Sequence, residues 1–282
     1  MADFDPSNVF NVKGMVAVIT GGGTGLGLMM AQALEANGAI VYILGRREEV
    51  LKQAAATAKH GNIHYFKADV TSKADLSAAA DHIGAKSGYV NLVIANSGIT
   101  GPTLHGLNKG ASLAETQKYL WNWDSDEFNQ TFTLNTTAAF FTAVAFLDLL
   151  DKGNKAGNIE QKSQVVFVSS AGAFSRMPMA GYAYAGSKAA IIHIMKQLAT
   201  SFAQHGIRSN ALAPGLFPSE MSAPILAKQE VWPRDFIPEE RPGDIKDMAG
   251  AVLFLTSRAG AYVNGTVLLQ EGGRLSIIPA TY

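Results

Sequence analysis

The stretch Thr20-Gly21-Gly22-Gly23-Thr24-Gly25-Leu26-Gly27 limits what this chain can fold into, because of what flanks it. It follows the apolar run Met15-Val16-Ala17-Val18-Ile19 and opens a helical pattern from Leu28 to Ala36. That order predicts strand, glycine turn, helix. Glycine lets a backbone turn sharply and approach a ligand closely, and the first turn of a helix offers unpaired N–H groups and a positive dipole end. Such a corner suits the pyrophosphate of a dinucleotide. The spacing Gly21, Gly25, Gly27 does not follow the common G-x-G-x-x-G template, so the corner alone is also compatible with a strand-to-helix turn that binds nothing.

Strand and helix signals alternate from this point on. Ile40-Val41-Tyr42-Ile43-Leu44 is a continuous apolar run suited to a strand buried on both faces. Glu48 to Lys59 reads as a helix and Ile63 to Phe66 as a third strand, leading through Ala68-Asp69-Val70 to a helix capped by Thr71 or Ser72. Further strands are predicted at Leu92–Ala95, Val165–Val168, Arg208–Ala213 and Thr266–Leu269. Long helices are predicted from Asp124 or Ser125 to about Leu150 and from Tyr184 to Gln204, and a shorter one from Asp247 to Leu255. This alternation predicts an α/β fold of Rossmann type, a doubly wound parallel seven-stranded sheet with helices on both faces. With 282 residues, 48% of them hydrophobic, one domain is expected over residues 14–282 after an N-terminal arm, 1–13. Within it, 100–123 reads as an inserted loop with a short helix at Leu113–Leu120. The proline-rich segment 214–242 reads as a lid on the substrate side.

Composition narrows the partners. Lys plus Arg equals Asp plus Glu at 23 each, so no charge excess favours nucleic acid or an anionic membrane. The absence of cysteine excludes disulfides and cysteine-ligated metal. No apolar run reaches membrane-spanning length, and Met1 to Lys13 lacks a signal-peptide layout. A cytoplasmic protein acting on a small molecule, without metal, is expected.

Two constellations carry chemistry. At the end of the second strand stands Gly45-Arg46-Arg47, with no acid to hold a ribose diol and two guanidiniums to hold a 2′-phosphate, which favours NADP(H) over NAD(H). The competing reading is a solvated pair answering Glu48 and Glu49. The second is Tyr184-Ala185-Gly186-Ser187-Lys188, which places a phenol and an ammonium on one helix face with heads about 6 Å apart. At an effective dielectric of about 20 that separation is worth roughly 2.8 kcal/mol, or about two units off a tyrosine pKa near 10, with burial opposing it.

Ser169-Ser170 closes the fifth strand ahead of Tyr184, Asn135 sits in the preceding long helix, and Asn96-Ser97-Gly98 closes the fourth strand. With these in order the chain resembles the short-chain dehydrogenase/reductase family over about Val12 to Gly273. It is most similar to its β-ketoacyl-reductase-like branch, and Asn210 to Met221 is reminiscent of fungal members. The resemblance implies an NADP(H)-dependent reductase of a ketone to an alcohol. In it, Tyr184 exchanges the proton, Ser170 hydrogen-bonds the carbonyl oxygen, Lys188 tunes the phenol and grips the nicotinamide ribose, and Asn135 holds a water linking Lys188 to solvent. It further implies that Gly21, Thr24, Gly25, Leu26 and Gly27 line the pyrophosphate, Arg46 and Arg47 the adenosine end, Asp69 and Val70 the adenine, and Asn96 the adjoining ribose. Pro214, Leu216 and Ser219 would flank the nicotinamide. The family more often shows a serine-tyrosine spacing shorter by one, which leaves Ser169 as the alternative to Ser170. A homo-oligomer, dimer or tetramer, is implied by the helix pairing of related proteins. An isomerase or cyclase, or an NADP(H)-binding scaffold without redox chemistry, is the other reading.

Trp121, Trp123, Phe174, Met177, Met179, Tyr182, Phe217, Met221, Trp232 and Phe236 surround the expected pocket. If they face inward, a bulky hydrophobic ketone, of the kind met in secondary metabolism, fits better than a sugar.

Overall fold

The glycine stretch forms the expected strand-turn-helix corner in the computed structural model, which describes residues 4–178, 180–228 and 230–281. In chain order the elements are α1 (Pro6–Val9), β1 (Val16–Thr20), α2 (Gly25–Ala36), β2 (Ile40–Gly45), α3 (Glu48–Ala55), β3 (Ile63–Lys67), α4 (Lys73–Ser87), β4 (Leu92–Ala95), α5 (Leu113–Trp121), α6 (Ser125–Phe132), α7 (Ala139–Ala145), α8 (Leu147–Ala156), β5 (Gln164–Val168), α9 (Tyr182–Ser201), β6 (Arg208–Pro214), α10 (Ala223–Leu226), α11 (Ile245–Thr256) and β7 (Val267–Gln270). The seven strands form one parallel sheet in the order β3-β2-β1-β4-β5-β6-β7. The chain leaves β1 toward β2 and β3, then returns to β4 on the other side of β1. A crevice opens at the carboxyl ends of β1 and β4, where such sheets bind their ligands.

Every residue of β1 is buried, as a strand covered on both faces requires. Ala17 and Ile19 pack with Met30 and Leu34 of α2 and Met248 and Val252 of α11. Val16 and Val18 face the opposite layer, with Ile83 of α4, Phe146, and Ile191 and Met195 of α9. The helices therefore lie on both sides of the sheet within a single domain.

Several boundaries differ from the sequence expectation. The helix from Glu48 ends at Ala55 rather than Lys59. Buried Glu35 accounts for the early stop, since its carboxylate accepts hydrogen bonds from the backbone N–H groups of Lys59 (2.8 Å), His60 (2.6 Å) and Asn62 (3.2 Å). Thr57 also donates to the Ala54 carbonyl. The long helix expected from Asp124 to Leu150 is broken into α6, a π-helical turn at Thr133–Ala138, α7 and α8, with a 46° bend before α8. Asn135 and Thr136 reach out of the π turn to hydrogen-bond Ile99 and Ser187, which favours the wider turn there. Fully buried Phe146 sits at the bend. Helix α9 starts at Tyr182, so Tyr184 lies inside its first turn. Among the described residues no single helix is long and apolar enough to cross a membrane.

Burial pushes the Glu35 carboxyl up, but the His60, Lys59 and Asn62 N–H groups outweigh it and hold it below its usual value. A depressed folded pKa contributes stability that is present above the unfolded value and lost as pH falls through the folded one. Glu35→Gln turns one of the two accepting oxygens into an NH2 donor, so at least one of these N–H groups loses its acceptor and a loss of about 1–3 kcal/mol is expected near neutrality. Thermal melts should also show a flatter acid limb below about pH 4.5 than the parent chain.

Candidate active site

The glycine corner is held from beneath by the end of β4. The Thr20 hydroxyl oxygen accepts from the backbone N–H groups of Asn96 (3.0 Å) and Ser97 (3.2 Å), and the Asn96 amide donates to the carbonyls of Thr20 (2.9 Å) and Gly21 (3.3 Å). Asn96 thus braces the corner with its amide nitrogen. Gly21 and Gly25 adopt positive φ, +63° and +51°. Gly27 faces inward, where a Cβ would stand 2.3 Å from the Gly21 carbonyl oxygen. Thr24, the N-cap of α2, makes no side-chain capping bond and the first turn holds no acid. The helix N-terminus therefore keeps uncapped N–H groups and an uncompensated positive end at the crevice, which fits a pyrophosphate.

A cavity of about 520 Å³ runs past this corner. Gly21, Thr24, Gly25, Leu26, Arg46, Arg47, Asp69, Val70, Asn96, Tyr184, Lys188 and Ser219 all contribute to its wall, so the structure brings together most of the residues singled out in the sequence. Arg46 and Arg47 are both exposed, and Arg47 forms an ion pair with Glu220 rather than with Glu48 or Glu49, which Lys52 answers. Asp69 spends one carboxylate oxygen on the Thr71 N–H (3.0 Å) and hydroxyl (2.7 Å). Those two bonds, with the nearby charge of Arg46, hold its carboxyl below the usual range.

At the other end of the cavity stand Tyr184 and Lys188, with the Lys188 ammonium 5.8 Å from the centre of the Tyr184 ring. The two adjacent serines differ in kind. Ser169 is buried and donates to the Lys188 carbonyl at 2.7 Å, joining β5 to α9. Ser170 accepts from the Gly172 N–H at 3.0 Å and faces the Tyr184 phenol. Lys188 is buried and its Nζ donates to the Val168 carbonyl at 2.8 Å. Burial pushes the Tyr184 phenol up, with the Ser170 hydroxyl pulling it only partway back, and burial lowers Lys188 to about 8. This corrects the expectation of a phenol made more acidic by its neighbour. Desolvation of both groups outweighs their attraction.

Asn135 is buried beside this pair. Its amide accepts from the Ile99 N–H (2.8 Å) and donates to the Ile99 carbonyl (2.8 Å) and the Ser187 hydroxyl (3.0 Å). The side-chain amide thus ties the segment after β4 to α9 beside Lys188. A Cβ on Gly98 would sit 3.0 Å from the Asn135 Oδ1 and 3.2 Å from the Lys188 Nζ, so both groups crowd the same backbone.

Pro214 and Leu216 are not among the residues lining this cavity. Gly215 is pressed against the end of β7, where a Cβ would meet the Glu271 Cα at 2.7 Å, so the chain is carried past the site before turning back. Leu216 lines a separate cavity of about 220 Å³ with Phe217 and Ile237, whereas Ser219, Glu220 and Met221 reach the main one. Ser219 also bonds the Ser222 N–H and hydroxyl in the turn before α10. The aromatic lining needs revision as well. Trp121 is 85% exposed, on a helix with no buried residue, and Phe217 is buried in the core beneath the sheet. Trp123 packs against Tyr182 at 6.0 Å between ring centres, Trp232 against Phe236, and among the described members of the set only Met221 lines the main cavity. Met179 lies outside the described residues.

Thr20, Ile99, Ser187 and Glu220 were not singled out in the sequence. Thr20 is legible as the last inward residue of β1. The others are set by contacts 36 to 173 residues distant along the chain and leave no local signal.

The switch-point crevice, the uncapped glycine-led helix and the adjoining serine, tyrosine and lysine define a dinucleotide-binding oxidoreductase. A family model described as enoyl-(acyl carrier protein) reductase matches residues 21–274. The chain is 48% identical to the short-chain dehydrogenase/reductase PhomF of Diaporthe leptostromiformis, over 98% of this chain and 96% of that one. It is 30% identical to a rhamnolipid-biosynthesis 3-oxoacyl-[acyl-carrier-protein] reductase of Pseudomonas aeruginosa, over 94% and 97% of the two chains. The solved Pseudomonas aeruginosa RhlG/NADP active-site complex superposes with a TM-score of 0.79 at 29% identity, covering 94% of this chain and 98% of that one. The chain belongs to the short-chain dehydrogenase/reductase family.

Proposed function

We propose that this protein is an NADP(H)-dependent carbonyl reductase that turns a bulky hydrophobic ketone into an alcohol, with Tyr184 as proton donor. The observation that carries the reading is the placement of Tyr184 and Lys188 at one end of a cavity whose other end holds Arg46 and Arg47 and no acid from β2. The NADP held by RhlG, a structural neighbour, supports the same cofactor here. The ketone substrate of the Pseudomonas 3-oxoacyl reductase supports the direction.

When bound, NADPH supplies the hydride. The uncapped first turn of α2 would hold the pyrophosphate, Arg46 and Arg47 the 2′-phosphate, Asp69 and Val70 the adenine side, and Asn96 the corner beneath the nucleotide. A phenol kept protonated by burial is ready to donate at neutral pH, and Ser170 orients the accepting oxygen. Lys188 would bond the nicotinamide ribose and return a proton to Tyr184. Asn135 acts as a positioning residue, fixing Ile99 and Ser187 around the lysine. Exposed Met177, Tyr182 and Met221 lie in or beside the two segments, 171–181 and 214–242, that border Tyr184, which favours an apolar substrate with 214–242 as its lid. Gly181 is pressed against the Pro102 carbonyl at the start of α9, so the 100–123 insertion forms part of the same rim.

The test is loss of NADPH absorbance against a panel of hydrophobic ketones, with alcohol formed in equal amount; no turnover on any of them, or oxidation of NADH alone, overturns the reading. Arg46→Asp is expected to weaken NADPH binding by at least tenfold while leaving NADH within about threefold, measured by titration of each. A homodimer or homotetramer is expected, as in related proteins, and light scattering measures its mass.

A further inference from the structure

The two arginines at the end of β2 are not equivalent. Arg47 Nη2 lies 3.0 Å from both carboxylate oxygens of Glu220, a residue 173 positions away in the segment that borders the substrate side. Arg46 has no ion-pair partner within 4 Å among the described residues. Arg46, Arg47 and Glu220 all line the main cavity, so the Arg47–Glu220 pair connects its β2 side to the 214–242 segment. Both side chains are more than half exposed, at 58% and 62%. An ion pair so exposed is weak and easily exchanged.

From this geometry we infer that Glu220 is a cofactor-discriminating residue that acts through Arg47, as a built-in counter-charge competing with the 2′-phosphate of the cofactor. The inference rests on the NADP(H) reading above. A phosphate monoester near neutrality carries close to two negative charges and three acceptor oxygens, so it displaces a single carboxylate from a guanidinium. The ribose diol of NAD(H) carries no charge and leaves the pair intact. Glu220 thus moderates the affinity for the phosphorylated cofactor and leaves the other unaffected. It also makes Arg47 a contact between the adenosine end and the substrate-side segment that is exchanged when the phosphorylated cofactor enters.

The test uses the full chain and calorimetric titration with NADP+ and with NAD+, for the parent, Glu220→Gln, Arg47→Gln and the double variant. Glu220→Gln is expected to tighten NADP+ by about three- to tenfold at low salt and to leave NAD+ within about twofold, the gain shrinking as salt rises. In the Arg47→Gln background the same change should do almost nothing, since the coupling runs through Arg47. An unmoved NADP+ affinity in Glu220→Gln, an equal change for both cofactors, or an undiminished gain without Arg47 overturns the inference while the cofactor reading stands. A parent chain that prefers NAD+ overturns both.

Discussion

Tyr184→Phe is expected to lower turnover by about 10²–10⁴-fold while leaving the dissociation constant of NADP+ within about twofold. The substitution removes one hydroxyl from a half-buried ring and leaves the glycine corner, the arginines and Lys188 in place. Stopped-flow absorbance for turnover and fluorescence titration for cofactor binding separate the two readouts. Undiminished turnover would remove Tyr184 from the chemistry. The raised phenol pKa carries a further consequence for direction. Reduction uses the protonated phenol, already loaded at neutral pH, so its rate should be flat there. Oxidation of the alcohol needs the phenolate, so its rate should climb with pH through the alkaline range. A phenol acidified by Lys188 would move both profiles to lower pH, with oxidation levelling off and reduction already falling near neutrality.

Gly27→Ala is expected to abolish measurable cofactor binding. A methyl at this position would lie 2.3 Å from the Gly21 carbonyl oxygen and 2.6 Å from the Asn96 amide nitrogen. The first is backbone held by a positive-φ glycine, and the second is already bonded to the carbonyls beneath it, so neither gives way cheaply. The corner must open, which displaces the first turn of α2 from the crevice. Overpacking of this kind costs about 1–3 kcal/mol, a fall of several degrees in Tm for a chain this long. Gly250→Ala in α11 is the matched control. A Cβ there meets nothing within 4 Å, and exchanging glycine for alanine inside a helix should stabilise by about 0.5–1 kcal/mol. Calorimetric melts and NADP+ titration of both variants check the pair.

Much of the fold was legible because it is written in short periods. Continuous apolar runs such as Val16–Ile19 and Ile40–Leu44 mark strands covered on both faces, and each one pairs as a buried parallel strand. Helix ends were less legible where a side chain from elsewhere intervenes. Nothing near Lys59 announces that Glu35 will take its N–H, and nothing around Asn135 announces that Ile99 and Ser187 will draw on a π turn. The expected aromatic wall failed for the same reason, since local pattern does not tell an exposed Trp121 at the end of α5 from a buried Phe217 in the loop after β6.

The sequence by itself determined the glycine corner, the order of strands and helices, and the sharing of one helical face by Tyr184 and Lys188, because each depends on residues within a few positions of one another. Only the tertiary structure decided that Ser170 rather than Ser169 faces the phenol, that burial raises the pKa of Tyr184 and lowers that of Lys188, and that Arg47 is paired with Glu220. Desolvation and contacts across the sheet depend on which distant segments close over a group, and no local pattern encodes that.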